Sequence, residues 1–129
     1  MWAALALGLV AALPALACEA PGAQWQRAES ANHVAWLALQ PLRPGVGAEF
    51  VLEAKVCART GAAPATVRFD AWMPAHRHGM NTRAVATRRA DGTWRAEGFL
   101  FHMPGAWQFL VEVDTAGGRE RLTLDLEVD

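Results

Sequence analysis

The sequence lacks an excess of either charge. Its 129 residues carry 12 Lys and Arg against 13 Asp and Glu, and the two signs are interspersed along the chain. A protein that binds nucleic acid or an anionic membrane by charge usually concentrates basic residues on one surface. We therefore expect no nucleic-acid partner. A chain of this length is about one domain, and it shows no internal repeat.

Motifs for the common kinds of catalysis are also missing. The chain has no G-x-S-x-G nucleophile elbow, no phosphate-binding loop and no carboxylate pair within one predicted loop. If its two cysteines form a disulfide, no thiol is left to pair with a histidine. The sequence therefore predicts a protein that is not an enzyme, and it identifies no small-molecule substrate.

The first 17 residues, MWAALALGLVAALPALA, form an uncharged, apolar segment. This segment ends in the A-x-A pattern that signal peptidases accept, and its apolar run is short for a membrane span. We expect a signal peptide (1–17) that is cleaved before Cys18, and hence an exported, periplasmic protein. Because no Lys or Arg lies near Met1, an uncleaved membrane anchor is the alternative.

The mature chain contains two cysteines, Cys18 and Cys57. An even number of cysteines in an oxidising compartment usually forms disulfides, so we expect a Cys18–Cys57 bond. Lipidation of Cys18, which would anchor the protein to a membrane, is an alternative. Lipoproteins usually have a Leu-like residue three positions before the cysteine, however, where this chain has Ala15. Copper ligation by both cysteines is a third interpretation, but an oxidised pair offers no thiolate.

The rest of the chain alternates apolar and polar residues at period two, with no sustained helical period. This pattern predicts a small antiparallel, immunoglobulin-like β-sandwich of about seven strands at 33–129, after an N-terminal extension at 18–32. The segment RLTLDLEV at 121–128 alternates most clearly. The other predicted strands lie near 33–40, 48–57, 66–73, 83–89, 93–103 and 106–114, with a hairpin turn at Asp91–Gly92.

Two short segments combine histidine with methionine: MPAHRHGM at 73–80 and FHMPG at 101–105. Pro74 ends its strand because proline cannot donate to the ladder, so a loop follows. The sequence Met103–Pro104–Gly105–Ala106 fits a type II turn. Alternation of strand direction through the Asp91–Gly92 turn then places both segments at the same end of the sandwich.

The first segment has metal-ligand spacing, since His76, His78 and Met80 are two residues apart and an extended backbone would point them to one side. Imidazole and thioether groups together suit copper, and the sulfurs favour Cu(I) over Cu(II). Zinc prefers His with Cys or carboxylate, and neither loop has the acidic cluster that calcium or magnesium needs. The predicted metal ligands are His76, His78, Met80, His102, Met103 and Met73.

Packing alone offers an alternative interpretation of several of these residues. Met73 shares its predicted face with Val67 and is more simply a core residue. His102, predicted to lie on the same face as Trp94, could be a hydrogen-bonded histidine at the rim. His33, alone at the start of a strand, is predicted to be structural.

Residues 67–113 resemble the YtkA-like domain, in which an MP-x-H-x-H-GM loop is followed by a glycine-containing strand and an MPG-W turn. The resemblance implies a small exported β-sandwich, found in contexts related to copper handling and cytochrome oxidase assembly. We expect a periplasmic or membrane-bound metalloprotein as partner. The alternative function is a metal-free module that docks such a partner through the same rim. The family loop falls on Met73, His76, His78 and Met80, and the turn on Met103, Pro104, Gly105 and Trp107.

Overall fold

The computed structural model describes residues 18–59 and 64–129. These residues form two antiparallel sheets and no helix, so the predicted all-β fold is confirmed. The predicted signal peptide lies outside the described residues. Within the described ranges, no helix is long and apolar enough to cross a membrane.

Nine strands make up the two sheets of the described chain. They are β1 (Gln26–Glu29), β2 (His33–Gln40), β3 (Glu49–Ala58), β4 (Thr66–Met73), β5 (His78–Gly79), β6 (Val85–Arg88), β7 (Trp94–Leu100), β8 (Gly105–Thr115) and β9 (Gly118–Val128). One sheet has the order β1-β2-β3-β7-β6 and the other the order β5-β4-β8-β9. The chain therefore changes sheets between β5 and β6.

The sequence did not predict β1 and β5, two of the three shortest strands. β1 lies within the predicted N-terminal extension and pairs with β2, whereas β5 lies inside the first His/Met segment and pairs with β4. β5 has only two residues, too few for an alternating pattern, and in β1 only Ala28 is buried, so neither strand shows a face that alternation could identify.

The core lies between the sheets and uses the faces that alternation predicts. In β9, Leu122 and Val128 are buried, whereas Leu124 and Leu126 are only partly buried against the core. The predicted face is right, but burial is shallower in the middle of β9 because this strand lies at the edge of its sheet. The fully buried aromatic residues are Phe99, Phe101, Trp107 and Phe109.

A β-bulge interrupts β7 at Gly98. Two residues of β7 lie opposite a single residue of β3 at this position, and Gly98 has a φ of 88°. The bulge shifts the alternation, because Ala96 is buried before it and Phe99 after it. Trp94 packs against the core. His102 follows the buried Phe99 by three residues, and an odd number places it on the face opposite to Phe99. The expectation that His102 shares a face with Trp94 is therefore wrong.

The two ends of the sandwich carry different groups. We call the end formed by residues 73–84 and 101–105 the histidine end. The start of β3 pairs with the end of β7, so Cys57, near the other end of β3, lies at the opposite end of the sandwich. The predicted Cys18–Cys57 disulfide is confirmed there. We call this second end, which also contains His33, the disulfide end.

Candidate metal site

The segment between β4 and β5 is a tight turn. The carbonyl oxygen of Met73 accepts hydrogen bonds from the backbone N–H groups of His76 (3.2 Å) and Arg77 (2.9 Å), and Met73 pairs in register with His78. Arg77 has a φ of 56°, in the left-handed region that non-glycine residues rarely adopt. Because this backbone is folded back, the expectation that an extended backbone points His76 and His78 to one side is wrong.

The turn nevertheless brings the imidazole rings together. The ring centroids of His76 and His78 are 5.6 Å apart, and those of His78 and His102 are 5.1 Å apart. His78 therefore forms the link between the two His/Met segments. This contact confirms that both segments lie at the same end of the sandwich, as strand alternation predicted.

Trp107 packs beneath the imidazoles and connects them to the core. Its side chain is 1% exposed, and its ring lies edge-on to His78 and His102, with centroid distances of 6.2 and 5.5 Å. The indole Nε1 donates a hydrogen bond to the carbonyl oxygen of Met103 at 3.0 Å. Trp107 thus ties the turn between β7 and β8 to β8 itself.

Two imidazole nitrogens have environments that bear on metal binding. Nδ1 of His78 lies 3.1 Å from the carbonyl oxygen of Gly79. A nitrogen must carry a proton to donate to a carbonyl, so this contact favours the tautomer whose Nε2 has a free lone pair. Nδ1 of His102 is buried and has no hydrogen-bond partner, and a buried polar atom of this kind calls for an explanation such as a bound ion.

The three methionines predicted as metal ligands lie at different depths. Met80 and Met103 are partly buried and pack against the edge of the core, so each also reaches the surface. Met73 is 1% exposed and belongs to the core. Its depth agrees with the packing interpretation, and Met80 and Met103 are the better placed of the predicted sulfur ligands.

Nitrogen and oxygen donors alone do not complete a site. Within residues 18–59 and 64–129, no three His, Cys, Asp or Glu side chains gather where they could hold a metal ion. The imidazoles of His76, His78 and His102 lie side by side, with His78 in the middle. A metal bound here would need thioether sulfur as well, and that donor set suits copper better than zinc, calcium or magnesium.

A cavity of about 640 Å³ lies beside the first His/Met segment, between β4 and residues 79–86. Met80, Thr82 and Arg83 are among its lining residues, and none of the histidines contributes to it. Residues 79–86, which lead away from the candidate site, therefore border this solvent-accessible cavity on the side that faces β4.

The fold and the site together define a class of protein: a small β-sandwich with three imidazoles side by side at one end, where Met80 and Met103 also lie. A model of the YtkA-like family matches residues 39–112, more than half of the chain, and the protein belongs to this family. The match includes both His/Met segments, whereas Cys18 and His33 precede it. No curated protein sequence and no solved structure gives a significant match.

Proposed function

We propose that this protein is an exported copper-handling protein, of the chaperone or metal-site assembly type, and that copper is its cargo. The observation that supports this most is the meeting of two His/Met segments, separated in sequence, with the rings of His78 and His102 5.1 Å apart.

The proposed ligands are His76, His78 and Met80 from the first segment, with one or both of His102 and Met103 from the second. The imidazoles supply nitrogen donors that tolerate Cu(II), and the thioethers supply soft sulfur donors that favour Cu(I). We propose Cu(I) as the preferred ion.

The exposure of the ligands suits a carrier rather than an enzyme. His76 is exposed and His78 is partly exposed, so a partner could reach the ion from solvent. The partner proposed is a periplasmic or membrane-bound metalloprotein that receives or donates the ion by ligand exchange. Transfer of this kind needs no catalytic acid or base, which is consistent with the lack of catalytic motifs.

The disulfide supports export to an oxidising compartment, because disulfides are rare in the reducing cytosol. The bond also engages the sulfur of Cys18, the atom that lipidation would modify. We therefore propose a soluble periplasmic form over the lipid-anchored alternative.

A competition titration against a chelator of known copper affinity tests the function. Wild-type protein should bind one equivalent of copper, and replacing His76 and His78 together with Ala should weaken binding strongly. Met80→Ala should affect Cu(I) more than Cu(II), because thioether is the softer ligand. The matched control is His33→Ala, which removes a histidine from the other end and should bind copper as the wild type does.

A metal-free docking module is the second candidate, and one observation favours it. Leu42 and Val46 are 56% and 42% exposed, on a loop that reaches the histidine end through a hydrogen bond (2.8 Å) from Gly47 N–H to the carbonyl oxygen of Phe101. Exposed apolar side chains of this kind suit a protein partner. If wild-type protein binds no stoichiometric copper, or the double histidine variant binds it equally well, this second function is the better account.

A further inference from the structure

At the end of the first His/Met segment, the chain leaves the four-stranded sheet at Gly79, and it joins the five-stranded sheet at Val85. On the way, just before β6 begins to pair with β7, the backbone of Arg83 lies against Gly98 at the bulge of β7. A Cβ atom added at Gly98 would lie 2.3 Å from the carbonyl oxygen of Arg83 and 3.2 Å from its carbonyl carbon. These are backbone atoms, so the chain around Arg83 would have to move to accept a side chain there.

The other end of the same segment contacts a second glycine. A Cβ atom at Gly105, the first residue of β8, would lie 2.9 Å from Cε of Met73. Met73 is the residue at which β4 ends and the turn to His76 and His78 begins. This contact involves the tip of a flexible side chain, so it is softer than the contact at Gly98.

Both glycines belong to the part of the chain that carries the second His/Met segment. Gly98 lies four residues before His102, and Gly105 lies two residues after Met103. The segment between Met73 and Arg83 therefore contacts a glycine at each end: Gly105, the last residue of the second segment, and Gly98, which precedes that segment. Gly79 pairs with Trp72 of β4, and Met80 and Ala84 pack against the core, while a cavity borders residues 79–86 on the side of β4. The contact at Gly98 is therefore one of a few supports of this segment.

We propose that Gly98, with a smaller contribution from Gly105, is a positioning residue of the proposed copper site. By admitting close approach, it fixes the distance between the imidazoles of His76 and His78 and the ligands of the second segment. This inference rests on the proposed function for its metal readout, but the distance between the rings can be tested without metal.

The chain offers a matched control for each glycine. Gly92 has a φ of 86°, close to the 88° of Gly98, but a Cβ atom there would meet only the flexible guanidinium of Arg88, at 3.8 Å. Gly118 has a φ of 124°, close to the 123° of Gly105, and nothing lies within 4 Å of its Cβ position. Substitution by alanine therefore imposes similar backbone strain within each pair, and only one member of each pair loses a close approach.

The first measurement is the nuclear Overhauser effect between the ring protons of His78 and His102 in metal-free protein. Wild type and Gly92→Ala should show it, because the ring centroids are 5.1 Å apart. In Gly98→Ala the effect should be weakened or lost, since Arg83 and the segment before it must move. A merely structural role for Gly98 would lower thermal stability and leave this ring contact in place.

The second measurement is copper affinity by competition with a chelator. Gly98→Ala should bind copper about 10- to 100-fold more weakly than Gly92→Ala, the loss typical of residues that orient metal ligands. Gly105→Ala should bind more weakly than Gly118→Ala by a smaller factor, because the methyl group of Met73 can move aside. If Gly98→Ala does not fold, the pair Gly105→Ala and Gly118→Ala provides the same comparison.

The two measurements separate the two proposals. Equal ring contacts and equal copper affinity within each pair would overturn the positioning role and leave the copper function intact. Absence of copper binding by wild-type protein would overturn the copper function, and with it any role of these glycines in a metal site. In that case the ring contact would still show whether Gly98 sets the conformation of the segment.

Discussion

The four histidines of this chain are divided between the two ends of the sandwich, in contrasting environments. At the disulfide end, His33 is 2% exposed and its Nδ1 is hydrogen-bonded to a carboxylate oxygen of Glu120. At the histidine end, none of the other three histidines pairs with a carboxylate among the described residues. His33 is held by an acid at one end, although its Nε2 is buried without a partner, whereas the imidazoles at the other end have no acidic partner among the described residues.

The acid at the disulfide end, Glu120, is engaged by neighbouring polar groups of the fold. Burial raises the pKa of the Glu120 carboxyl, but hydrogen bonds from the Asn32 backbone and from the His33 side chain outweigh it and lower the pKa below its usual value. A carboxylate so engaged stabilises the fold. The comparison separates a histidine that is paired with an acid inside the fold from three histidines that have no acidic partner among the described residues.

The largest difference between the ends should appear on removal of the disulfide. Replacing Cys18 and Cys57 together with Ala opens a loop with a sequence separation of 39 residues. The chain-entropy model predicts a loss of about 4 kcal/mol in the free energy of unfolding. Copper affinity of the folded fraction should not change, because the bond lies at the end opposite the proposed ligands. Chemical denaturation and chelator competition measure the two quantities, and a large fall in affinity would contradict the separation of the ends.

A smaller contrast is expected between two histidine substitutions. His33→Ala should lower the free energy of unfolding by about 2 kcal/mol, because it removes a buried side chain and the hydrogen-bond partner of the Glu120 carboxylate. His78→Ala should change it by no more than about 0.5 kcal/mol, because this side chain is partly exposed and pairs with no acid. Urea titrations of the two metal-free variants measure the difference. Equal losses would show that His78 also has a structural role.

The smallest expected effect concerns acid stability at the disulfide end. Hydrogen bonds from Arg119 and Thr66 lower the pKa of Asp114 from 3.8 to about 2, with help from the charge of Arg68. Since the folded pKa is depressed, the ionised carboxylate stabilises the fold at pH values above 3.8, and this contribution is lost as the pH falls through about 2. The network is solvent-exposed, so the effect is modest. Asp114→Asn should reduce the loss of stability over this pH range, and an unchanged pH profile would contradict it.

The parts of the structure that follow from side-chain alternation could be predicted from the sequence. The buried faces of β3, β4 and β8 repeat at period two over long strands, and strand direction alone placed residues 73–80 and 101–105 together. Features set by a single backbone conformation could not be predicted. The left-handed Arg77 and the bulge at Gly98 each alter the direction of nearby side chains, and periodicity carries no signal for either.

The contact between Gly98 and Arg83 could not be predicted from the sequence for the same reason. Its sequence signal is one glycine within an otherwise apolar strand, which indicates a bulge or a close backbone approach but does not identify the approaching segment. Only the path of the chain from β5 to β6 shows that Arg83 is the neighbour.

The most direct test of the account is a Cu(I) titration of the wild-type protein, followed through the ring signals of all four histidines by nuclear magnetic resonance. Cu(I) is diamagnetic, so the signals remain observable and each ring reports on its own environment. We expect the rings of His76, His78 and His102 to shift together up to one equivalent of copper, while the ring of His33 keeps its position. Unchanged signals at the histidine end, or a shift of His33 as large as that of the other three, would contradict the assignment of metal binding to the histidine end alone.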